Sequence, residues 1–72
     1  MTSPLEATIA NLTDIAAELE RAAHHARTAA KHFQDREVPR GCAHILAAEG
    51  HIVKVRRALD VVVETHAARA TP

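Results

Sequence analysis

Aromatic residues and cysteine are almost absent from this sequence of 72 residues. Phe33 is the single aromatic residue and Cys42 is the single cysteine. One aromatic ring provides no platform on which the bases of single-stranded nucleic acid could stack. One cysteine excludes an intramolecular disulfide, and a reduced cytoplasmic thiol is the simplest interpretation. We therefore expect neither a disulfide-stabilised fold nor an aromatic binding surface.

Net charge is absent as well, since nine lysines and arginines balance nine aspartates and glutamates. This balance provides no basic surface for nucleic acid or anionic lipid. The sequence shows neither a signal-peptide pattern nor an apolar stretch of membrane-spanning length. We therefore expect a cytoplasmic protein whose partners are neither nucleic acid nor membrane.

The first half of the sequence has the pattern of one amphipathic helix. Ser3, Pro4 and Glu6 match a capping box with proline at the first helical position. Apolar residues then recur every seven positions, which places them on one helix face. With position a of the heptad set at Leu5, position a holds Leu5, Leu12, Leu19, Ala26 and Phe33, and position d holds Thr8, Ile15, Ala22 and Ala29. The pattern predicts a helix over about residues 4–33.

A second helix is predicted over about residues 37–70, after a turn at about 34–36. Asp35 suits the cap of this helix and Pro39 falls in its first turn, with a start at Pro39 itself as the alternative. With position a set at Ile45, the apolar face holds Val38, Gly41, Ile45, Ala48, Ile52, Val55, Leu59, Val62 and His66. A short turn between two long helices predicts an antiparallel hairpin. The fold class is therefore all-α, with a single hairpin domain over residues 1–72.

Both helices also carry apolar residues outside these faces. Two helices alone bury little surface, and a domain of this length has a marginal core. The sequence therefore predicts that two hairpins pair as a homodimeric four-helix bundle. We expect the dimer interface to include Ile9, Leu46, Val53 and Val63. Docking on another helical protein is the alternative use of these residues.

Six histidines are the one unusual feature of the composition. Several of them fall at position g of the two helices, together with two glutamates. In an antiparallel pair the g positions of the two helices face each other. If both helices rise equally from a turn near residues 34–36, residues that face each other across the hairpin have numbers that sum to roughly the low seventies. The order expected along this edge is Glu18, His51, His25, His44, His32 and Glu37.

Imidazoles and carboxylates that converge between helices can bind a divalent transition metal such as zinc, copper or nickel. The candidate ligands are His25, His44, His51, His32 and Glu18. The best-centred set is His25, His44 and His51. The alternative is a row of half-exposed packing residues that hydrogen-bond to carboxylates such as Glu18 and Glu37. No other cofactor is predicted.

Five further residues carry separate expectations. His24, at position f, should face solvent, and His66 should be a hydrogen-bonded residue within the apolar face. Cys42, at position e, is expected to be a small buried hydrophobe. Gly41 should let the helices approach closely, whereas Gly50 indicates either close packing or a tolerated loss of helix propensity.

Short segments rich in alanine and histidine give the sequence a resemblance to a known group of proteins. These segments are Ala22-Ala23-His24-His25, Ala29-Ala30-Lys31-His32-Phe33, Ala43-His44 and Ala48-Glu49-Gly50-His51. Over roughly residues 24–70 the chain resembles small histidine-rich helical-hairpin proteins of bacteria. The resemblance implies a hairpin fold and a bacterial origin, without a particular activity. This chain has fewer histidines than that group and has Pro39 in the first turn of its second helix, which weakens an analogy with metal storage.

We interpret the sequence as a non-catalytic helical assembly or protein-binding module that homo-oligomerises. The alternative function is a metal-binding sensor or carrier that uses the histidines at position g. An enzyme is not expected, because Ser3 serves as a helix cap and Cys42 has no histidine at a spacing suited to catalysis.

Overall fold

A computed structural model describes residues 3–70 of the chain as two packed helices. Helix α1 spans Pro4–Gln34 and helix α2 spans Val38–His66, followed by a 3₁₀ turn at Ala67–Arg69. The two helices contact each other along their lengths, which confirms the all-α hairpin. The tail predicted at residues 1–2 and the stop predicted at residues 71–72 lie outside the described residues. Within the described range, no helix is long and apolar enough to cross a membrane.

The start of α1 is fixed by the predicted capping box. The backbone amide of Glu6 donates to Ser3 Oγ at 3.1 Å, and the amide of Ser3 donates to Glu6 Oε2 at 3.3 Å. Pro4 occupies the first turn, where the missing N–H has no helical acceptor to bond. These contacts satisfy two of the free amides at the helix N-terminus.

The turn between the helices differs from the prediction, because Asp35 caps the C-terminus of α1 and not the N-terminus of α2. The cap residue of α2 is Glu37, whose side chain makes no capping hydrogen bond. The amides of Arg36 and Glu37 donate to the carbonyls of Phe33 and His32 at 3.1 and 2.8 Å. This pattern is a Schellman motif, which satisfies the last carbonyls of α1 and requires a left-handed residue. Arg36 is that residue, with φ of 64°.

Helix α2 ends at His66, earlier than the predicted end near residue 70. The chain then continues as the 3₁₀ turn at Ala67–Arg69. Terminal turns often tighten in this way because their carbonyls lack regular helical partners.

Position d forms the contact between the two helices. The buried hydrophobic residues are Ile15, Ala22, Ala29 and Val55, and Gly41 is buried with them. All of these residues occupy position d, and most are small, so the helix backbones come close together. The larger residues of position a were predicted to be buried in this contact, and that prediction is wrong, because each of them is at least 36% exposed along one side of the hairpin. The ring of Phe33 nevertheless reaches across to Gly41. Position a lies beside position d on each helix, so its side chains flank the contact and keep part of their surface in water.

The two glycines of α2 have opposite surroundings. A Cβ at Gly41 would lie 2.7 Å from Cε2 of the Phe33 ring, which confirms the predicted close approach. A Cβ at Gly50 would meet nothing within 4 Å. Gly50 is therefore a tolerated loss of helix propensity and not a packing requirement.

These surroundings predict opposite effects of alanine at the two positions. Gly50→Ala should raise the free energy of unfolding by about 1 kcal/mol, through helix propensity alone. Gly41→Ala should lower it by roughly 1 kcal/mol, because displacing the Phe33 ring outweighs the same gain in propensity. Urea denaturation of both variants measures the difference. Equal stabilisation by the two substitutions would contradict the close contact at Gly41.

Candidate functional site

The hairpin has two edges of opposite character on either side of the position-d contact. One edge carries position g of both helices, and six of its polar residues, in continuous contact with one another, are named here the histidine ladder. The histidine ladder consists, in spatial order, of Glu18, His51, His25, His44, His32 and Glu37. The order along the edge is the predicted one. The other edge carries position a and is apolar.

Imidazole rings in the middle of the ladder stack on one another across the two helices. The rings of His25 and His51 lie 5.4 Å apart at 17°, and those of His32 and His44 lie 5.2 Å apart at 18°. Between these stacks, Nδ1 of His25 and Nδ1 of His44 are 2.9 Å apart, a hydrogen-bond distance. One of these two nitrogens must donate and the other accept, so the pair cannot be doubly protonated without losing this bond.

A carboxylate closes the ladder at each end. Nδ1 of His51 contacts Oε2 of Glu18 at 2.5 Å, and Nδ1 of His32 lies 3.7 Å from Oε1 of Glu37. Each carboxylate also pairs with an arginine three residues further along its own helix. These pairs are Arg21 with Glu18 at 3.1 Å and Arg40 with Glu37 at 2.8 Å. Sequence reasoning missed both arginines, although their i,i+3 spacing from the glutamates was a usable signal.

Two groups of the ladder have pKa values below the ordinary ones. The hydrogen bond with His51 lowers the pKa of the Glu18 carboxyl from 4.5, with the nearby charge of Lys54 acting in the same direction. Desolvation is the main cause that lowers the pKa of His25 from 6.5, and the charges of His44, His51 and His24 add to it. Folding therefore favours a charged Glu18 and a neutral His25.

The predicted metal ligands lie on the ladder but do not surround one point. Within residues 3–70, no group of three or more histidine, cysteine, aspartate or glutamate side chains has the geometry to hold a metal ion. The rings are stacked in a row, and Nδ1 atoms of His25, His44 and His51 are already engaged by neighbours. A tetrahedral site needs ligand atoms that converge on one ion at about 2.0–2.2 Å. Metal binding would require the stacked rings to turn.

The opposite edge, named here the apolar flank, exposes the largest hydrophobic side chains of the hairpin. It consists of the position-a residues Leu5, Leu12, Leu19, Ala26, Phe33, Val38, Ile45, Ile52 and Leu59. Leu12 and Leu19 are 45% and 44% exposed, although both lie well inside α1. Sequence reasoning assigned these residues to the core of a single hairpin. The signal that could have placed them outside was the small size of the position-d residues.

The four residues predicted for a dimer interface lie on two different surfaces. Ile9 and Val63, at position e, border the apolar flank and are exposed. Leu46 and Val53, at position b, lie roughly 160° around α2 from its contact with α1. Leu46 is 73% exposed on that outer side.

Three single residues, His24, His66 and Cys42, had separate predictions for their surroundings. His24 is exposed, as predicted. His66 is half-buried and its Nε2 lies 2.6 Å from Oγ1 of Thr8, which confirms a hydrogen-bonded position within the apolar face. Cys42 is exposed, so its prediction as a buried hydrophobe is wrong. The chain turns about 100° between buried Gly41 and Cys42, which carries the thiol out of the contact.

Neither protein-family models, nor curated proteins, nor solved structures give a match to this chain. The resemblance to histidine-rich hairpin proteins of bacteria therefore stays an expectation.

The lowered pKa of His25 predicts that the hairpin loses stability in mild acid. Unfolded His25 binds a proton near pH 6.5, whereas folded His25 binds it at lower pH. The stability that His25 contributes is therefore complete above pH 6.5 and decreases as the pH falls below it. The melting temperature should decrease from about pH 7.5 to about pH 5.0, a range in which histidine titrates. His25→Ala should flatten this decrease, and His24→Ala, at the exposed neighbour, should largely keep it.

A melting temperature that is constant over this range in the wild-type protein would contradict the crowding of His25 by neighbouring imidazoles. Glu18 contributes to the stability of the hairpin over a separate pH range. Because its pKa is lowered from 4.5, that contribution is present above pH 4.5 and is lost only as the pH falls further.

Proposed function

We propose that this chain is a non-catalytic assembly module that binds a second copy of itself, so that two hairpins form a four-helix bundle. The observation that carries this proposal is the distribution of hydrophobic side chains. Only Ile15, Ala22, Ala29 and Val55 are buried hydrophobic residues in the described hairpin, whereas the leucines of both helices are exposed. A domain of this length needs a larger core, and a partner that covers the apolar flank would supply it.

The composition and the two edges support the other parts of the proposal. The balanced charge argues against nucleic acid and anionic membranes as partners. The single thiol, Cys42, is exposed at position e, on the side away from the histidine ladder, so no nucleophile is paired with a base there. A single cysteine suits a cytoplasmic location. We propose the apolar flank, bordered by Ile9 and Val63, as the interface.

A charge in the middle of the apolar flank should dissociate the dimer. Leu19→Asp would place a carboxylate from each copy in an apolar contact, which should raise the dissociation constant at least roughly a hundredfold. Leu46→Asp is the matched control, because Leu46 is exposed on the outer side of α2. Sedimentation equilibrium at micromolar concentration distinguishes monomer from dimer, and circular dichroism reports whether each variant is still helical.

The proposal fails if the wild-type protein sediments as a 7.8 kDa monomer. It also fails if Leu46→Asp dissociates the protein and Leu19→Asp does not. A monomer would favour the alternative partner, another helical protein.

Binding of zinc, copper or nickel at the histidine ladder is the second candidate function. The observation that favours it is the pair of Nδ1 atoms of His25 and His44, which face each other at 2.9 Å. A hydrogen bond between these nitrogens places one proton between them, and a metal ion could replace that proton if the rings turned apart. His51 and Glu18 are the nearest further ligands.

Calorimetric titration of metal-free protein with each ion tests the second function. Site-specific binding predicts that His25→Ala and His51→Ala lose affinity by at least roughly tenfold, the lower end of losses for a metal-site residue. His24→Ala, at an exposed neighbouring position, should bind as wild type does. Equal affinities for all four proteins would exclude the ladder as a metal site.

A further inference from the structure

We infer that the two copies pair with their turns at opposite ends of the bundle, related by a two-fold axis that crosses the middle of both helices. Each helix then packs antiparallel to the same helix of the partner. This inference rests on the proposed function, because it requires a dimer through the apolar flank. The residues of position e, which border that flank, support this inference.

Position e of α2 carries two opposite charges one heptad apart. Glu49 and Arg56 line one groove of the apolar flank together with Ile45 and Ile52. Their Cα atoms are separated by about 10.5 Å along α2. Among the ion pairs within residues 3–70, none involves Glu49 or Arg56. A two-fold axis between residues 52 and 53 would place Glu49 against the partner's Arg56, and Arg56 against the partner's Glu49.

Position e of α1 has a matching symmetry. Ala16 and Ala23 are one heptad apart, and Ile9 and Ala30 lie one heptad further out on either side. An axis between residues 19 and 20 would place Ala16 against the partner's Ala23 and Ile9 against the partner's Ala30. The small side chains of Ala16, Ala23 and Ala30 allow the two copies of α1 to approach closely.

One axis satisfies both helices at once. Glu18 contacts His51 and Thr8 contacts His66 across the hairpin. With equal rise, the first contact places residues 19–20 of α1 level with about residues 49–50 of α2, and the second with about residues 54–55. Residues 52–53 lie between these two values. One axis can therefore satisfy the charges of α2 and the alanines of α1, and it runs between the two copies at the mid-height of both helices. Overlap of the two apolar flanks is greatest about this point.

The other face-to-face arrangement puts both turns at the same end. Helix α2 would then face the partner's α1, so that Glu49 and Arg56 would border a row of alanines. Both charges would lose water without gaining an ion pair, which is unfavourable. The opposite-end arrangement also sets Leu12 against the partner's Ala26 at position a.

The single cysteine provides a direct measurement of the arrangement. Cys42 is exposed and accepts a spin label without another substitution. With turns at opposite ends, the two Cys42 backbones lie about 31 Å apart along the bundle, from a rise of 1.5 Å per residue. With turns at the same end, only the bundle diagonal separates them, roughly 10–15 Å for axes 8–10 Å apart. Pulsed dipolar EPR resolves the longer distance, and the shorter one broadens the continuous-wave spectrum.

A second label position, away from the interface, shows whether the label at Cys42 itself disturbs the dimer. Gln34→Cys in a Cys42→Ser background places the label at the exposed end of α1. The opposite-end arrangement predicts about 44 Å between the two copies at this position. A short distance at both positions, in protein that sediments as a dimer, overturns the arrangement and leaves the proposed function standing. A monomer in sedimentation overturns both.

Charge reversal tests the pairing of Glu49 with the partner's Arg56 independently. Glu49→Arg should raise the dissociation constant roughly tenfold, because two ion pairs become like-charge contacts. The double substitution Glu49→Arg with Arg56→Glu should restore the wild-type value. If neither protein differs from wild type, the two charges do not meet across the interface, and the opposite-end arrangement is wrong.

Discussion

The packing of position d of the two helices against each other determines how the two edges of the hairpin are arranged. Gly41 lies against the ring of Phe33, and Ala22 and Ala29 are buried in the same layer. Ile15 and Val55 are the larger members of this layer, and both are buried in it. Positions a and g flank position d on each helix, so their residues lie at opposite edges of the contact. Two edges of different chemistry follow from this one layer.

The two edges differ in how completely their groups are satisfied. On the histidine ladder, imidazoles stack or hydrogen-bond across the helices, and the carboxylates at both ends pair with arginines. No buried side-chain polar atom of the described residues lacks a hydrogen-bond partner. On the apolar flank, by contrast, leucine and isoleucine side chains face water. An unsatisfied apolar surface next to a satisfied polar one supports a partner on the apolar side, with the ladder facing outward.

The hairpin and the order of the ladder were predictable because both depend on spacing alone. Once the turn is short, equal rise along two antiparallel helices determines that Glu18 meets His51 and that His25 meets His44. Which of the two apolar positions, a or d, is buried between the helices was not predictable in the same way. It depends on the rotation of each helix about its axis, which the sizes of facing side chains decide together.

The turn and the cysteine show the same limit at a local scale. A Schellman motif needs a left-handed residue, usually glycine, and Arg36 in that position gives no sequence signal. Asp35 was therefore assigned to the wrong helix end. Burial of Cys42 was misjudged because one residue, or about 100° of rotation, separates the contact from solvent. Chemistry that requires convergence of several atoms, such as metal binding, is still further from what spacing can predict.

The solvent accessibility of individual methyl groups tests most directly whether a second copy covers the apolar flank. In a lone hairpin, Leu12 and Leu19 are 45% and 44% exposed, and Leu46 is 73% exposed. NMR relaxation of methyl protons by a soluble paramagnetic agent reports this exposure in solution. A second copy on the apolar flank predicts that Leu12 and Leu19 are protected while Leu46 relaxes strongly. Relaxation of all three in proportion to their exposure in a lone hairpin would contradict the assembly.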